Sequence, residues 1–348
     1  MRVLVTGAAG FIGSNFVRHW VEGHPGDTVV ALDLLTYAGN RENLVDLEGS
    51  IRFVEGDIGD AALVEGLLTD ENVDVIVNFA AESHNSLAVV DPGRFARTNV
   101  LGTQTLLESA RRCGIERFHH VSTCEVYGDL PLDGDDAFTE TSPYRPRTPY
   151  NASKAAADHF VRAYHETYGL PVTISNCSNN YGPYQFPEKV IPLFATHALD
   201  EEPLPLYAST THRREWLHVI DHCRAIELVL AKGEVGETYN VGSGVEATIE
   251  QIADLVLDAL GKPASLKTIV PDRPGHDRRY LLDSTKLRRQ LGWTPTVDFD
   301  DGIRETVAWY ASNRTWWEPL RDRAPVVESA WSGATQGAAG ANEGKAPR

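Results

Sequence analysis

The sequence predicts an α/β fold, a doubly wound parallel sheet with a smaller C-terminal substrate-binding domain. Two observations carry this. The apolar run Arg2–Thr6 passes directly into Gly7-Ala-Ala-Gly10-Phe-Ile-Gly13 and then into a helical pattern from Phe11 to Val21. Strand, glycine turn and helix in that order are the Rossmann-type arrangement. Further strand-like runs then alternate with helical ones along the first half of the chain, which is the pattern of a parallel sheet.

The first turn sets the chemistry of that half. Glycines let the backbone turn tightly and approach a pyrophosphate, which sits on exposed N–H groups at the helix N-terminus. The spacing is G-x-x-G-x-x-G rather than G-x-G-x-x-G. The next strand, Thr28–Leu32, ends at Asp33, 20 residues after Gly13. A carboxylate there accepts hydrogen bonds from a ribose diol and repels a 2′-phosphate. Gly7, Gly10, Phe11, Ile12, Gly13 and Asp33 therefore predict an NAD site rather than an NADP site. Ile51–Val54 leads to Asp57-Ile58, a pair placed to flank the adenine, although an Asp closing a strand is also a common turn residue. Val73–Asn78 leads to Phe79-Ala80-Ala81. A helix from Pro92 to about Arg112 and a strand at Arg117–Ser122 come next. A helix over Tyr150–Tyr168 and a strand at Val172–Asn176 close the series.

The stretch Ser122–Lys154 carries the reactive groups. Tyr150 and Lys154 are four residues apart, so they share one helix face. A phenol has a reference pKa near ~10, and a neighbouring ammonium lowers it toward the working range. Such a pair takes a proton from an alcohol while hydride leaves the same carbon. Thr123 and Glu125 lie just past His119-His120-Val121, a strand end where ligands meet an open parallel sheet.

After Asn176 the texture changes to a turn-rich aromatic loop, Asn179–Pro187. Arg213, Arg214, Arg273, Arg278 and Arg279 fall in irregular segments, and guanidinium forks suit a diphosphate. Thr248–Leu260 reads as an amphipathic helix. The expected organisation is residues 1–176 for the dinucleotide, with a segment near 215–240 returning to that domain. Residues 177–320 mainly form the sugar-binding domain, and 325–348 a disordered tail rich in Gly and Ala.

Composition narrows the function classes. The chain has 348 residues, 42% of them hydrophobic and 23% charged, with a net charge of −17. That charge argues against binding nucleic acid or an anionic membrane. Cys113, Cys124, Cys177 and Cys223 show no CxxC spacing, which predicts neither zinc nor any other metal and fits a reducing compartment. No charged-then-apolar leader follows Met1, and no apolar run reaches the ~18 residues of a membrane span. The expectation is a cytoplasmic enzyme.

With these residues assembled, the chain resembles the extended short-chain dehydrogenase/reductase family, and within it the dTDP-glucose 4,6-dehydratases. The resemblance runs from Met1 to about Tyr310. The glycine motif and Tyr150-x-x-x-Lys154 mark only the superfamily. More selective are Asn176–Tyr184, Phe186-Pro-Glu-Lys189 and Asp272-Arg-Pro-Gly-His-Asp-Arg-Arg-Tyr280, alongside Leu35–Asn40, Ala80-Ala-Glu-Ser-His84 and Glu125–Leu130. The resemblance implies a nucleotide-diphosphate sugar as substrate, tightly held NAD, and a homodimer built on a four-helix interface. It implies Tyr150 as base for the 4-hydroxyl, Lys154 beside it, Thr123 on the 4-oxygen and Glu125 as base at C5. Ala80 and Ala81 would flank the cofactor. Substrate contacts would fall on His84, Asn179, Lys189, Tyr207, Arg214, Arg273 and His276.

Three positions depart from the family's pattern. Cys124 stands where an Asp normally donates a proton to the departing 6-hydroxyl. Asn85-Ser86-Leu87 replaces a Val-Asp-Arg-type stretch, and Leu34 replaces a Lys. Other outcomes therefore stay open from sequence: a 5,6-dehydratase returning hydride to C4, a 4-epimerase, a nucleotide-uronate decarboxylase, or a silent NAD-sensing protein.

Overall fold

The computed structural model of the chain describes residues 1–272 and 277–323. Arg273 and His276, and the tail expected over 325–348, lie outside the described residues.

The central sheet grows from buried apolar strands, each followed by a helix. β1 (Arg2–Thr6) leads to α1 (Phe11–Gly23), β2 (Thr28–Asp33), β3 (Ile51–Glu55), α2 (Ala61–Asp70) and β4 (Val75–Asn78). Val3, Leu4, Val5, Val30, Ile76 and Val77 are wholly buried, as central strands of a parallel sheet covered on both faces require. α3 (Asn85–Val90), α4 (Pro92–Phe95) and α5 (Thr103–Cys113) precede β5 (Arg117–Thr123). α6 (Pro149–Tyr168) and β6 (Val172–Cys177) follow.

The single helix expected from Pro92 to Arg112 is instead interrupted by a π-helical turn at Ala96–Gly102. The wider turn brings Asn99 inward. Its amide donates to the Glu82 carbonyl (3.0 Å) and to Ser153 Oγ (2.8 Å), while its oxygen accepts the Glu82 N–H (2.8 Å). One side chain thus ties the loop after β4 to α6, a use typical of π turns near functional sites.

Beyond β6 the chain leaves the sheet and returns. β7 (Asn179–Tyr181), α7 (Val190–Leu199), β8 (Leu204–Tyr207) and β9 (Arg213–His218) come first. α8 (Val219–Lys232) and β10 (Thr238–Val241) go back to the sheet, and β11 (Glu246–Thr248), α9 (Ile249–Leu260) and β12 (Lys267–Val270) leave it again. α10 (Thr285–Leu291), α11 (Phe299–Ser312) and α12 (Arg314–Arg321) end the described chain. The main sheet has seven strands in the order β10-β6-β5-β4-β1-β2-β3, with every pairing parallel. The order reverses between β1 and β4, which opens a crevice at their carboxyl ends. Smaller sheets, β11-β9-β7 and β12-β8, build the second layer. Its core gathers Ile191, Phe194, Trp216, Ile252, Ile303 and Trp317.

Turn and cap chemistry explains where key helices start and stop. Thr148 caps α6 by accepting from Asn151 N, Pro149 occupies the first turn, and Gly169 closes the helix at φ +69°. Thr248 and Gln251 form a reciprocal capping box on α9. Among the described residues no helix is long and apolar enough to cross a membrane.

A buried polar knot joins the last two strands to the segment after β5. Tyr127 donates its hydroxyl to Asn240 Oδ1 (2.9 Å) and accepts from Asn176 Nδ2 (2.7 Å). Tyr127→Phe would leave two buried amides short of a partner. The expected loss is about 1–3 kcal/mol of unfolding free energy, read from urea denaturation. An unchanged midpoint would mean that the knot contributes nothing to stability.

Candidate active site

The crevice at the sheet's carboxyl edge is a cleft of about 400 Å³ between the two layers. One end is built from the glycine turn. Gly7 has φ +64°, and a Cβ there would lie 2.6 Å from the Ala80 nitrogen. A Cβ on Gly13 would lie 2.2 Å from the Gly7 carbonyl oxygen, so only glycine lets the turn close against the start of α1. α1 itself begins at Gly10 with no side-chain cap, leaving the first N–H groups to a ligand.

Asp33 closes β2 at the rim. Its carboxylate accepts from Ala9 N (2.9 Å) and Leu35 N (2.8 Å). Burial raises its pKa, and the backbone N–H groups of Leu35, Ala9 and Gly10 work against that rise. Phe11, Ile12, Asp57, Ile58, Ala80 and Ala81 line the same end. This cradle fits a dinucleotide: a bare helix N-terminus for phosphate, a fixed carboxylate for a diol, and apolar walls.

The other end holds Thr123, Glu125, Tyr150 and Lys154, all lining the cleft. β5 delivers Thr123, and a short 3-10 turn at Cys124–Tyr127 delivers Glu125, whose N–H is capped by Thr123 Oγ1 at 3.2 Å. α6 delivers Tyr150 and Lys154. The sequence predicts that Lys154 lowers the Tyr150 pKa, and the structure differs. Nζ donates to the Val121 carbonyl (2.8 Å) and lies 3.2 Å from His120 Nε2. The Tyr150 phenol is pushed well above its usual range, first by burial, then by the Glu125 charge and the neighbouring thiols; a hydrogen bond with Thr123 opposes them. The physical reason is a buried amine directed back into the protein rather than at the phenol.

The structure separates the remaining predicted residues. Asn179 and Lys189 line the cleft. Lys189 Nζ donates to the Ser83 carbonyl (3.1 Å) and lies 3.4 Å from Glu188. His84 caps α3 through Nδ1, and its Nε2 is 3.2 Å from Glu188, so it stands behind the wall between Ser83 and Asn85. Cys124 is buried among Val126, Tyr127, Ala155, Tyr280 and Leu282, and burial pushes its thiol well above the usual range. Tyr207 ends β8, paired with Val270, away from the cleft lining.

Among the described residues, Arg214, Arg278 and Arg279 are each engaged by groups of the protein itself. The Arg214 guanidinium donates to the carbonyls of Arg213, Asp277 and Arg278 and stacks over Tyr280. Arg279 forms a two-pronged ion pair with Glu246 (2.6 and 2.7 Å), and Arg278 pairs with Asp129 at 2.7 Å. Sequence reasoning could not assign the carboxylate partners, which are 33 and 149 positions away along the chain. It also missed Tyr37, which donates to Glu188 at 2.9 Å, and Asn85, whose amide lies 3.2 Å from Glu125. Tyr37 sits inside the quoted motif Leu35–Asn40, which was the available signal.

Fold and site together define an extended short-chain dehydrogenase/reductase, with a dinucleotide cradle at one end of the cleft and a Tyr/Lys pair at the other. A model of the GDP-mannose 4,6 dehydratase family matches residues 4–306, and the chain belongs to that family. It is 52% identical over 345 residues to dTDP-glucose 4,6-dehydratase of Xanthomonas campestris pv. campestris, covering 93% of this chain and 97% of that protein. The same-named enzyme of Streptomyces niveus is 50% identical, covering 92% and 96%. Among solved structures, DesIV, a dTDP-glucose 4,6-dehydratase from Streptomyces venezuelae with NAD bound, matches with a TM-score of 0.88. It is 53% identical, with 92% of this chain and all of that one covered (100%). UDP-glucose 4-epimerase of Thermus thermophilus, also complexed with NAD, matches at 0.83 and 36% identity, covering 90% and 100%.

Gly13→Ala tests the cradle. The added methyl meets backbone, which cannot step aside as a flexible side chain would. The variant is expected to purify with less than about a tenth of the nicotinamide nucleotide released by the parent on denaturation, a deficit of ~1.4 kcal/mol or more in binding. Equal nucleotide content would show that the turn tolerates a side chain and is not the pyrophosphate seat.

Proposed function

We propose that the protein is an NAD-dependent nucleotide-sugar dehydratase that converts dTDP-glucose to its 4-keto-6-deoxy product with loss of water. The observation that carries this reading is the convergence of Thr123, Glu125, Tyr150 and Lys154 at one end of the cleft whose other end is the glycine cradle. The named relatives at 50% identity and above supply the sugar and the nucleobase.

Gly7, Gly10 and Gly13 would hold the NAD pyrophosphate, and Asp33 its adenosine ribose. Bound there, NAD supplies a hydride acceptor for sugar C4 and a hydride donor for C6. The chain's own groups move the protons. Tyr150 takes the proton of the 4-hydroxyl, and Thr123 hydrogen-bonds the 4-oxygen. The ketone at C4 acidifies the C5 hydrogen, which Glu125 removes. The 6-hydroxyl then departs as water after gaining a proton. Cys124 takes the place of the donor: burial keeps the thiol protonated, and the same burial makes it a reluctant acid. When C6 is reduced, Glu125 returns its proton to C5, so each turnover leaves Tyr150 with one added proton and the donor with one fewer, and a proton must pass from one to the other before the next cycle.

We infer further that the enzyme is a homodimer working in the cytoplasm. Leu101 is 58% exposed and Phe160, on α6, is 39% exposed, and the π turn that carries Leu101 packs against α6. Such apolar side chains support burial against a second copy. All four cysteines are free, which suits a reducing compartment.

Two experiments test the chemistry. In single turnover with dTDP-glucose, Glu125→Gln is expected to accumulate NADH absorbance, while Tyr150→Phe gives at least ~10²-fold less. Equal formation in both would mean that the two roles are wrongly assigned. Substrate deuterated at C4 decides the fate of the hydride. Label in a new C6 methyl group is expected, and Cys124→Asp should keep that product with an equal or higher rate, a carboxylic acid being the stronger donor. Label found only at C4 would overturn the 4,6-dehydratase reading in favour of a 5,6-dehydratase or an epimerase.

A further inference from the structure

Behind the Tyr150–Lys154 pair lies a buried polar chain that the proposed mechanism does not use. Asp158 is one turn beyond Lys154 on α6 and has no exposure to solvent. Its Oδ2 accepts from Ser122 Oγ (2.9 Å) and Tyr144 OH (2.8 Å). Its Oδ1 has no hydrogen-bond partner among the described residues and lies 3.5 Å from His120 Nε2. Tyr144 accepts in turn from Arg162 (2.8 Å), a half-buried cation that also reaches Thr238.

The tautomer of His120 follows from its other side. Thr6 Oγ1 accepts from Ala80 N (3.3 Å) and donates to Asn78 Oδ1 (2.7 Å). That fixes the Asn78 amide with Nδ2 toward His120 Nδ1, at 3.1 Å. Nδ1 is then the acceptor, and the neutral ring carries its proton on Nε2. Burial, with the Lys154 charge adding to it, keeps the ring neutral. A protonated Nε2 cannot accept from Lys154. The contact of 3.2 Å is therefore not a hydrogen bond, and the Val121 carbonyl is the acceptor that Nζ holds among the described contacts.

A largely buried ammonium with one protein acceptor among the described contacts is held mainly by charge. Burial lowers the Lys154 pKa and raises that of Asp158, and the attraction between the two opposes both shifts. Two hydroxyl donors and the Arg162 cation further favour the Asp158 anion. We propose that Asp158, acting through His120, is a positioning residue for Lys154. It keeps the amine cationic in a dry site while leaving it free to turn from Val121 toward Tyr150. The neutral imidazole serves as a spacer, 3.2 Å from the ammonium and 3.5 Å from the carboxylate, and keeps the two from a direct bond that would immobilise the ammonium.

The inference rests on the reading of Tyr150 as the base. The other titratable groups facing the pair are Glu125 and Cys124 past the end of β5, Cys177 on β6, Tyr144 on the loop before α6 and Arg162 on α6. None of them is altered in the first variant below.

The test is the pH profile of C4 oxidation, followed as NADH absorbance in single turnover of the holoenzyme with dTDP-glucose. Asp158→Asn retains shape and removes the charge. Without that charge the amine loses its proton, and the phenol then ionises only at higher pH. The expected result is oxidation about tenfold slower near neutral pH, the equivalent of one pKa unit, with recovery to within about twofold of the parent near pH 10. Tyr144→Phe removes one donor from Asp158 and should shift the profile in the same direction by less, which keeps the test open should Asp158→Asn fail to fold. A loss equal at every pH, an unchanged profile, or a profile moved to lower pH would overturn the proposal. Tyr150→Phe run alongside separates the two readings: if it still oxidises C4, Tyr150 is not the base, whatever Asp158 does.

Discussion

An ammonium in a dry interior must be compensated within a few ångströms, and the half of the site that moves protons is arranged around that constraint at Lys154. A buried charge without a partner would cost several kcal/mol. Compensation comes from one carbonyl of β5 and one carboxylate of α6. Both depend on the separation of helix and strand, which Ser122 fixes by donating to Asp158 from the strand, and Asn99 fixes by holding Ser153. The π turn in the preceding helix, the polar residues at the end of β5 and the length of α6 are therefore parts of one solution.

The cofactor end obeys a different constraint, the close approach of backbone to backbone. Gly7 sits against the chain leaving β4, where a Cβ would overlap Ala80 and Phe79. That contact brings the start of α1 over the switch point of the sheet. β5 and β6 run in register from Phe118↔Val172 to Thr123↔Cys177, so the reactive residues emerge at the same height as the glycine turn. One crevice can then hold a dinucleotide and a sugar together. Solved structures named as a dTDP-glucose 4,6-dehydratase and a UDP-glucose 4-epimerase share this frame.

Much of this was legible in the sequence because it rests on local signals. β1, β2 and β4 are short, mainly apolar runs, and the glycine motif and Asp33 keep fixed spacings. What depends on partners distant in sequence was not legible. Of the arginines read as a diphosphate clamp, Arg279, Arg278 and Arg214 are held by Glu246, Asp129 and backbone carbonyls, and the composition of the segment is the same either way. The direction of Lys154 was likewise hidden. Helical spacing puts Tyr150 and Lys154 on one face, but only the neighbouring strand decides where the amine points. Histidine 120 carried no signal at all, since a buried neutral His in a strand reads as core.

The acidity of the chain sharpens the question of how a diphosphate is held. At a net charge of −17 the surface repels an anion, so binding must be local and steep. In the cleft, Lys189 is paired with Glu188, a buried carboxylate that also accepts from Tyr37 and lies beside His84. Burial raises the pKa of Glu188, and Lys189 and Tyr37 restrain the rise. An anion that entered beside Lys189 would compete with Glu188 for the same ammonium. Removing the lysine's attraction pushes the Glu188 carboxyl toward its neutral form, in which it can donate rather than repel. Tyr37 comes from the loop after β2 and Glu188 from the segment before α7, so the cluster bridges the two layers across the cleft. Arrival of an anion there would alter the link between them at the position where the cofactor and sugar ends of the cleft meet.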